Sequence, residues 1–410
     1  MPEQSVGDRR PTAPLPGRSA SPTRLGASQL LLATPASGDS SPVIIDLHCH
    51  YAFAALRASS IERFSFEPQV AVRAGQPAHP TEYDSCLSPR LRRRLVWRAA
   101  RRWLGLPETD RELDQRLGDH YERHLGPAGP VERFVLLAFD AARDERGECP
   151  PLPGPGDRFG SDLYTSNSLV RDACRRRADR FLFGASVHPY RPEAVACVEE
   201  VFAGGACLLK WMPLHQNIDI RDPRTLGVLR KCAQLGLPLL VHYGPEFSLA
   251  TQCPQYRSVR PLLEVLRGLR AEGQMPCVIV AHVATPVMPL GDQDSHRALL
   301  DALTGEFADA PLYADLAALA TWTKAGFLSR LARRQELHHK LLFGSDFPIP
   351  PGLARLRWKL GRNYRQIAAV QSWPQQAALA VRCLGFNEIV LHRAAELLPN
   401  LRYFDQPATG

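Results

Sequence analysis

The segment Asp46-Leu47-His48-Cys49-His50 carries two imidazoles two residues apart, at the end of an apolar run that begins at Val43. Side chains alternate along a strand, so His48 and His50 point one way and Cys49 the other. Two imidazoles so placed chelate one divalent ion. Such a pair is weak evidence alone and gains weight from its companions. His242 closes Leu239-Leu240-Val241, His282 closes Val278-Ile279-Val280-Ala281, and Asp346 closes Phe343-Gly344-Ser345. Each has an ordinary reading, as a hydrogen-bonded turn residue or a helix cap. Together, at equivalent positions, His48, His50, His242, His282 and Asp346 are the expected ligands of a metal.

The elements that must bring them together are legible as short apolar runs. They fall at residues 43–47, 134–139, 181–187, 206–209, 238–241, 277–281, 311–314 and 341–343. Segments with helical periodicity lie between most of them, among them Pro223–Leu235, 259–271 and 296–303. Strands that alternate with helices pair in parallel, and eight such units close into an α/β fold, the (β/α)8 TIM barrel. The spacing from Lys210 to His242 to His282 suits one unit each, and that from His282 to Asp346 suits two. In a barrel, residues at the C-terminal strand ends converge on one pocket.

Residues 43–403 make up this barrel, and two features depart from a plain one. Residues 51–130 form an insertion after strand one, expected to be helical over 89–104 and 107–124 and to lie over the active-site face as a lid or wall. The Pro/Gly-rich stretch 149–160 is a second loop on that face, and residues 352–403 add C-terminal helices, the last at 387–398.

Lys210 ends the fourth strand, with Ala206 and Leu208 on the same inward face. His188 ends the third and is placed for substrate contact or for holding a turn. Glu246 lies just beyond His242, as a carboxylate orienting an imidazole or as a plain loop acid. Asp315 ends the seventh strand, able to touch substrate or cap a turn. Asp46 is read as structural support beneath His48, and His338 and His339 as solvated residues at the opposite end.

Composition narrows the class. Hydrophobic residues make up 45% of the 410 and charged residues 22%, which suits a globular chain with a large core. No apolar run reaches the length that crosses a bilayer, so no membrane partner is expected. Residues 1–42 are rich in Pro, Ser, Thr and Arg and poor in large apolar side chains, and are expected to be a disordered tail. Ten cysteines without a CxxC pair read as reduced thiols, in keeping with a cytoplasmic location.

The net charge of +8 is concentrated in Arg90, Arg92, Arg93, Arg94, Arg98, Arg101 and Arg102, with Trp97 and Trp103 interleaved. Glu108, Asp110, Glu112 and Asp114 follow closely and offset them, so a solvated amphipathic helix with inward tryptophans is favoured over a nucleic-acid patch.

The set His48-Cys49-His50, Lys210, His242, His282 and Asp346 resembles the amidohydrolase superfamily. The strings IDLHCH, CLLKWMPLHQNIDI, LPLLVHYGPE, VIVAHVA, YADLAAL and LLFGSDFPIP resemble its amidohydrolase-2 branch over roughly residues 43–350. The resemblance implies that His48, His50 and Asp346 hold the catalytic metal with His242 beside them. It also implies that Asp346 moves a proton from bound water to the leaving group, and that His282 holds a second metal or polarises the substrate. Lys210 is then a carboxylated bridge between two metals, or a free ammonium that anchors substrate. The bland alternative is a salt bridge with a loop acid. The metal is most simply one or two zinc ions, with manganese or iron accepted.

The first expectation is a hydrolase acting on a C–N or C–O bond of a small organic molecule, an amide, lactone or ester. The runner-up is a nonoxidative decarboxylase of an unsaturated or aromatic acid. The third is an inactive, Arg-rich nucleic-acid binder, disfavoured because every expected ligand is present. A homo-oligomer is compatible with all three.

Overall fold

All eight apolar runs are strands, and they pair in chain order. The computed structural model describes residues 43–67 and 76–405. The tail expected over 1–42 lies outside the described residues. In chain order the strands are β1 (Ile45–His50), β2 (Ala55–Leu56), β3 (Ser85–Leu87), β4 (Arg133–Leu137), β5 (Leu163–Thr165), β6 (Phe181–Ala185), β7 (Ala206–Trp211), β8 (Leu239–Val241), β9 (Val278–Val280), β10 (Leu312–Asp315) and β11 (Leu341–Leu342). Eight of them form one sheet in the order β1-β4-β6-β7-β8-β9-β10-β11, parallel at every pairing.

The ring closes where the chain around and beyond β11 meets β1. Leu47 N donates to Phe343 O (3.3 Å), Asp346 N to His48 O (3.0 Å) and His50 N to Phe347 O (2.7 Å). Asp46 secures the same seam, its Oδ1 accepting from the amides of Ser345 (2.9 Å) and His48 (3.1 Å). It is a fully buried support, as its place beneath His48 suggested.

Strands covered on both faces must be apolar throughout, and these are. Leu47, Val135, Leu137, Leu182, Leu208, Leu240, Ile279 and Leu342 fill the barrel interior as one cluster, which Ala394 and Leu398 of the C-terminal segment join. The intervening residues, such as Phe134, Phe183, Val241 and Val280, face the surrounding helices. One detail departs from strict alternation. A register shift between β6 and β7 brings Cys207 and Leu208 into the inner cluster, and Ala206 belongs to the outer one. Alternation counted back from Lys210 therefore fails at Ala206, as it must across a bulge.

The insertion after β1 is a mixture. Its helices are α1 (Pro89–Arg93), α2 (Leu95–Leu104) and α3 (Asp110–Leu125). The single helix expected over 89–104 is broken at Arg94, whose backbone is extended (φ −62, ψ 139). The Arg94 guanidinium donates to Phe247 O (2.9 Å), a tertiary contact that periodicity does not reveal. The strands β2, β3 and β5 form a separate antiparallel sheet. At two or three residues each, they are too short to show a period of two.

The basic segment is largely spent within the chain. Arg90 clamps the 149–160 loop through Asp162 Oδ1 (2.8 Å) and the carbonyls of Asp157, Arg158 and Gly160. Arg92 pairs with Asp110, and Arg101 with Glu108 at 2.6 Å. Trp97 packs inward as expected. Trp103 does not, remaining 65% exposed with its ring stacked on Trp373. All ten cysteines are free. His338, read as solvated, is buried: its Nδ1 accepts from Asn387 N and its Nε2 lies 3.2 Å from Leu331 O. His339 is exposed. No helix among the described residues is long and apolar enough to cross a membrane.

Candidate metal centre

β1 delivers His48 fully buried at the barrel mouth. Its Nδ1 lies 2.7 Å from Asp315 Oδ2 and its Nε2 3.0 Å from the Lys210 ammonium, which can only donate, so the imidazole proton sits on Nδ1 and the Nε2 lone pair faces the centre. Asp315 ends β10, and its other oxygen accepts from the amides of His282 (2.6 Å) and Ala317 (3.1 Å). Substrate contact was one expectation for Asp315. With both oxygens engaged and no exposed surface, it orients His48 instead. Burial pushes its carboxyl up to about 7. Burial, reinforced by the charge of Lys210, holds His48 well below the ordinary histidine range.

Asp346 reaches the same point from the far side of the seam. Its Oδ1 lies 3.4 Å from His48 Nε2 and 3.3 Å from His50 Nε2. Three ligand atoms from three side chains thus converge within metal-binding distance of one another. Asp346 holds a left-handed backbone (φ 66), a region that short polar side chains tolerate. His282, Val283 and Ala284 are left-handed too, costly for a β-branched residue, and together they turn the chain sharply after β9. His282 Nδ1 lies 2.9 Å from Ala317 O, which fixes its proton there and leaves Nε2 with a free lone pair. A histidine in this tautomer has no proton on Nε2 to polarise a carbonyl.

Lys210, at the end of β7, is buried with its Nζ 3.0 Å from His48 Nε2. No carboxylate among the described residues forms a salt bridge with it, so the loop-acid pairing is not what this structure holds. Burial pulls its ammonium down to about 8, against the attraction of Asp315, Asp346 and Glu246. His242 stands apart from the converging triad. Its Nε2 is buried without a hydrogen-bond partner, 3.4 Å from Glu246 Oε2. Burial opposes ionisation of Glu246, but His242, the Ser248 amide and Lys324 outweigh it and hold the carboxyl below its usual range.

The donor set fits a divalent cation. The imidazoles of His48 and His50 and the Asp346 carboxylate supply three ligands, and the unpartnered His242 Nε2 is a buried polar atom that a cation would satisfy. His48, His282 and Asp315 also approach one another. Because the Asp315 oxygens are consumed by hydrogen bonds, this second group supports the first rather than forming another ion site.

A cavity of about 280 Å³ opens above this floor. His50, Lys210, His242, Glu246, His282 and Asp346 line its base. His188 does not. It is fully buried, its Nδ1 accepting from Tyr190 N (3.0 Å) and its Nε2 bonded to Gln216 O (2.7 Å), so it holds the turn after β6. Two groups at or near the site were not read from the sequence. Lys324, in the loop after β10, is buried, and its charge is felt by Glu246, His242 and His282. His120 of α3 lines the cavity with a buried, unpartnered Nε2. Neither ends a strand, so no positional rule singles them out.

Solved structures of similar architecture include an uncharacterized TIM-barrel protein from Bordetella bronchiseptica. It shares 16% identity at TM-score 0.46, over 88% of this chain and 99% of that one. A 2,6-dihydroxybenzoate decarboxylase from Rhizobium shares 13% identity at TM-score 0.43, over 87% and 99%. A probable 2-pyrone-4,6-dicarboxylic acid hydrolase from Acinetobacter baumannii shares 13% identity at TM-score 0.41, over 88% and 99%. No curated protein matches. The family model described as amidohydrolase, the amidohydrolase-2 branch, matches residues 45–366, well over half the chain. With its barrel closed and its strand-end histidines and aspartate gathered at one mouth, the chain belongs to the amidohydrolase superfamily and is an enzyme of that kind.

Proposed function

We propose that the enzyme is a metal-dependent hydrolase that cleaves a C–N or C–O bond in a small organic substrate, an amide, lactone or ester. The observation that carries this is the double position of Asp346. It lies against both His48 Nε2 and His50 Nε2, and it also borders the cavity where substrate would sit. A divalent cation held by His48, His50 and Asp346 would supply Lewis acidity and make a water at the site easier to deprotonate. Asp346 is placed to take a proton from that water and to return it to the leaving group. His282 leaves its Nε2 lone pair free beside the centre, and the Lys210 ammonium stabilises charge developing on the substrate oxygen. Imidazole and carboxylate donors suit zinc, and manganese or iron would also be accepted. Glu246 orients His242.

One observation favours nonoxidative decarboxylation as a second reading. Lys210 opens to the cavity without a carboxylate salt-bridge partner, as an anchor for a substrate carboxylate would.

The test is turnover by zinc-loaded protein against p-nitrophenyl esters, anilides, lactones and aromatic acids in ¹⁸O-labelled water. Hydrolysis that requires the metal, carries the label into product and falls about 10²–10⁴-fold in Asp346→Asn is expected. Release of carbon dioxide without label in the organic product would transfer the assignment to the second reading.

A further inference from the structure

The polar floor occupies only the base of the cavity, and the walls have another character. Most of the lining above the metal centre is apolar and comes from the insertion, including Leu91, Val96, Trp97, Ala100 and Leu104. Four of these belong to α2. Val96, Ala100 and Leu104 are spaced four residues apart and share one face of the helix with Trp97. None of the ten α2 residues is fully buried. Arg98 and Arg102 are exposed. The helix is bounded by the extended Arg94 and the left-handed Gly105.

An amphipathic helix ordinarily buries its apolar stripe against protein. Here the stripe borders a void, where lining atoms forfeit the contacts a packed neighbour would give. Apolar cavities of about 150 Å³ take up guests the size of benzene, and this one is larger and continuous with the metal floor.

We propose that the insertion makes the enzyme selective for amphiphilic substrates, in which a small polar reacting group carries an extended alkyl or aryl-alkyl tail. The head lies on His50, Lys210 and Asp346, and the tail lies along Val96, Trp97, Ala100 and Leu104 of α2. This rests on the reading of the floor as a catalytic metal site, and the experiment separates the two.

Straight-chain alkyl hydroxamates from two to ten carbons present one chelating head with tails of increasing length. Their affinities are measured by calorimetry on the full chain, zinc-loaded and chelator-treated. The slope with chain length reports the wall, and the offset between the two preparations reports the metal floor. Affinity rising about fourfold per methylene is expected in both preparations until the cavity is filled. Ala100→Asp and, independently, Leu104→Ser are expected to reduce that slope while acetohydroxamate binding and zinc content stay unchanged, with circular dichroism confirming that each is folded. A flat series in wild type, or an undiminished slope in both variants, would overturn the proposal. Loss of the zinc-dependent offset with the slope retained would overturn the hydrolase reading and leave the apolar tail site standing.

Discussion

Two clusters of buried ionisable groups sit at the C-terminal end of the same barrel, and they are built on opposite principles. Beyond β4 and β6, Asp140 receives a bidentate contact from Arg191, Nε to Oδ2 at 2.6 Å and Nη2 to Oδ1 at 2.7 Å. The His188 amide adds a third bond to Oδ2 at 2.7 Å, and both ring nitrogens of His188 are occupied. At the β1–β11 seam, by contrast, the His242 Nε2 has no hydrogen-bond partner, the His282 Nε2 lone pair is free, and the Lys210 ammonium that meets His48 Nε2 also borders open space. The first cluster spends its polar capacity on the fold. The second leaves part of it unspent, and buried groups left so are the ones available to a cation and a substrate.

The sharpest way to break this comparison is to remove a partner from the satisfied side. Arg191→Ala leaves the Asp140 carboxylate buried without its cation and is expected to cost about 3–5 kcal/mol of stability by chemical denaturation. Whatever folded protein remains should bind zinc as tightly as wild type. A parallel loss of zinc affinity would mean that the two clusters are one unit.

On the open side, Asp315→Asn keeps the shape of the group that orients His48 but removes its charge. Zinc affinity is expected to weaken about 10–100-fold with the fold intact, measured by competition with a chromophoric chelator. Unchanged affinity would take Asp315 out of the support of the site.

The smallest effect concerns acid stability. Burial opposes ionisation of Asp140, but Arg191 outweighs it and holds the carboxyl below its ordinary value. A carboxyl depressed in the folded state contributes stability that is fully present above its unfolded pKa and is lost as pH falls through the folded one. Asp140→Asn should therefore flatten the decline in stability below about pH 4, by at most about 1.4 kcal/mol per pH unit. A decline as steep as in wild type would assign it to other carboxylates.

The strands and the converging residues were readable because they obey local rules. A short apolar run bounded by turn residues is a strand wherever it lies, and a residue ending a parallel barrel strand must face the mouth. His48, His50, His282 and Asp346 needed nothing further to be grouped. His188 obeys the same rule and still lies outside the cavity, because a backbone amide two residues on and a carbonyl from another loop occupy its ring. Ala206 broke alternation through a register shift, which depends on the neighbouring strand.

Sequence alone thus determined the barrel, the order of its strands and which strand-end residues meet at its mouth, since these follow from periodicity along the chain. Only the tertiary structure decided that Asp315 fixes the His48 tautomer, that His242 faces Glu246, and that the α2 stripe borders a cavity rather than the core. Each of those depends on distances between segments far apart in the chain, and hydrogen bonds and cavities form through space.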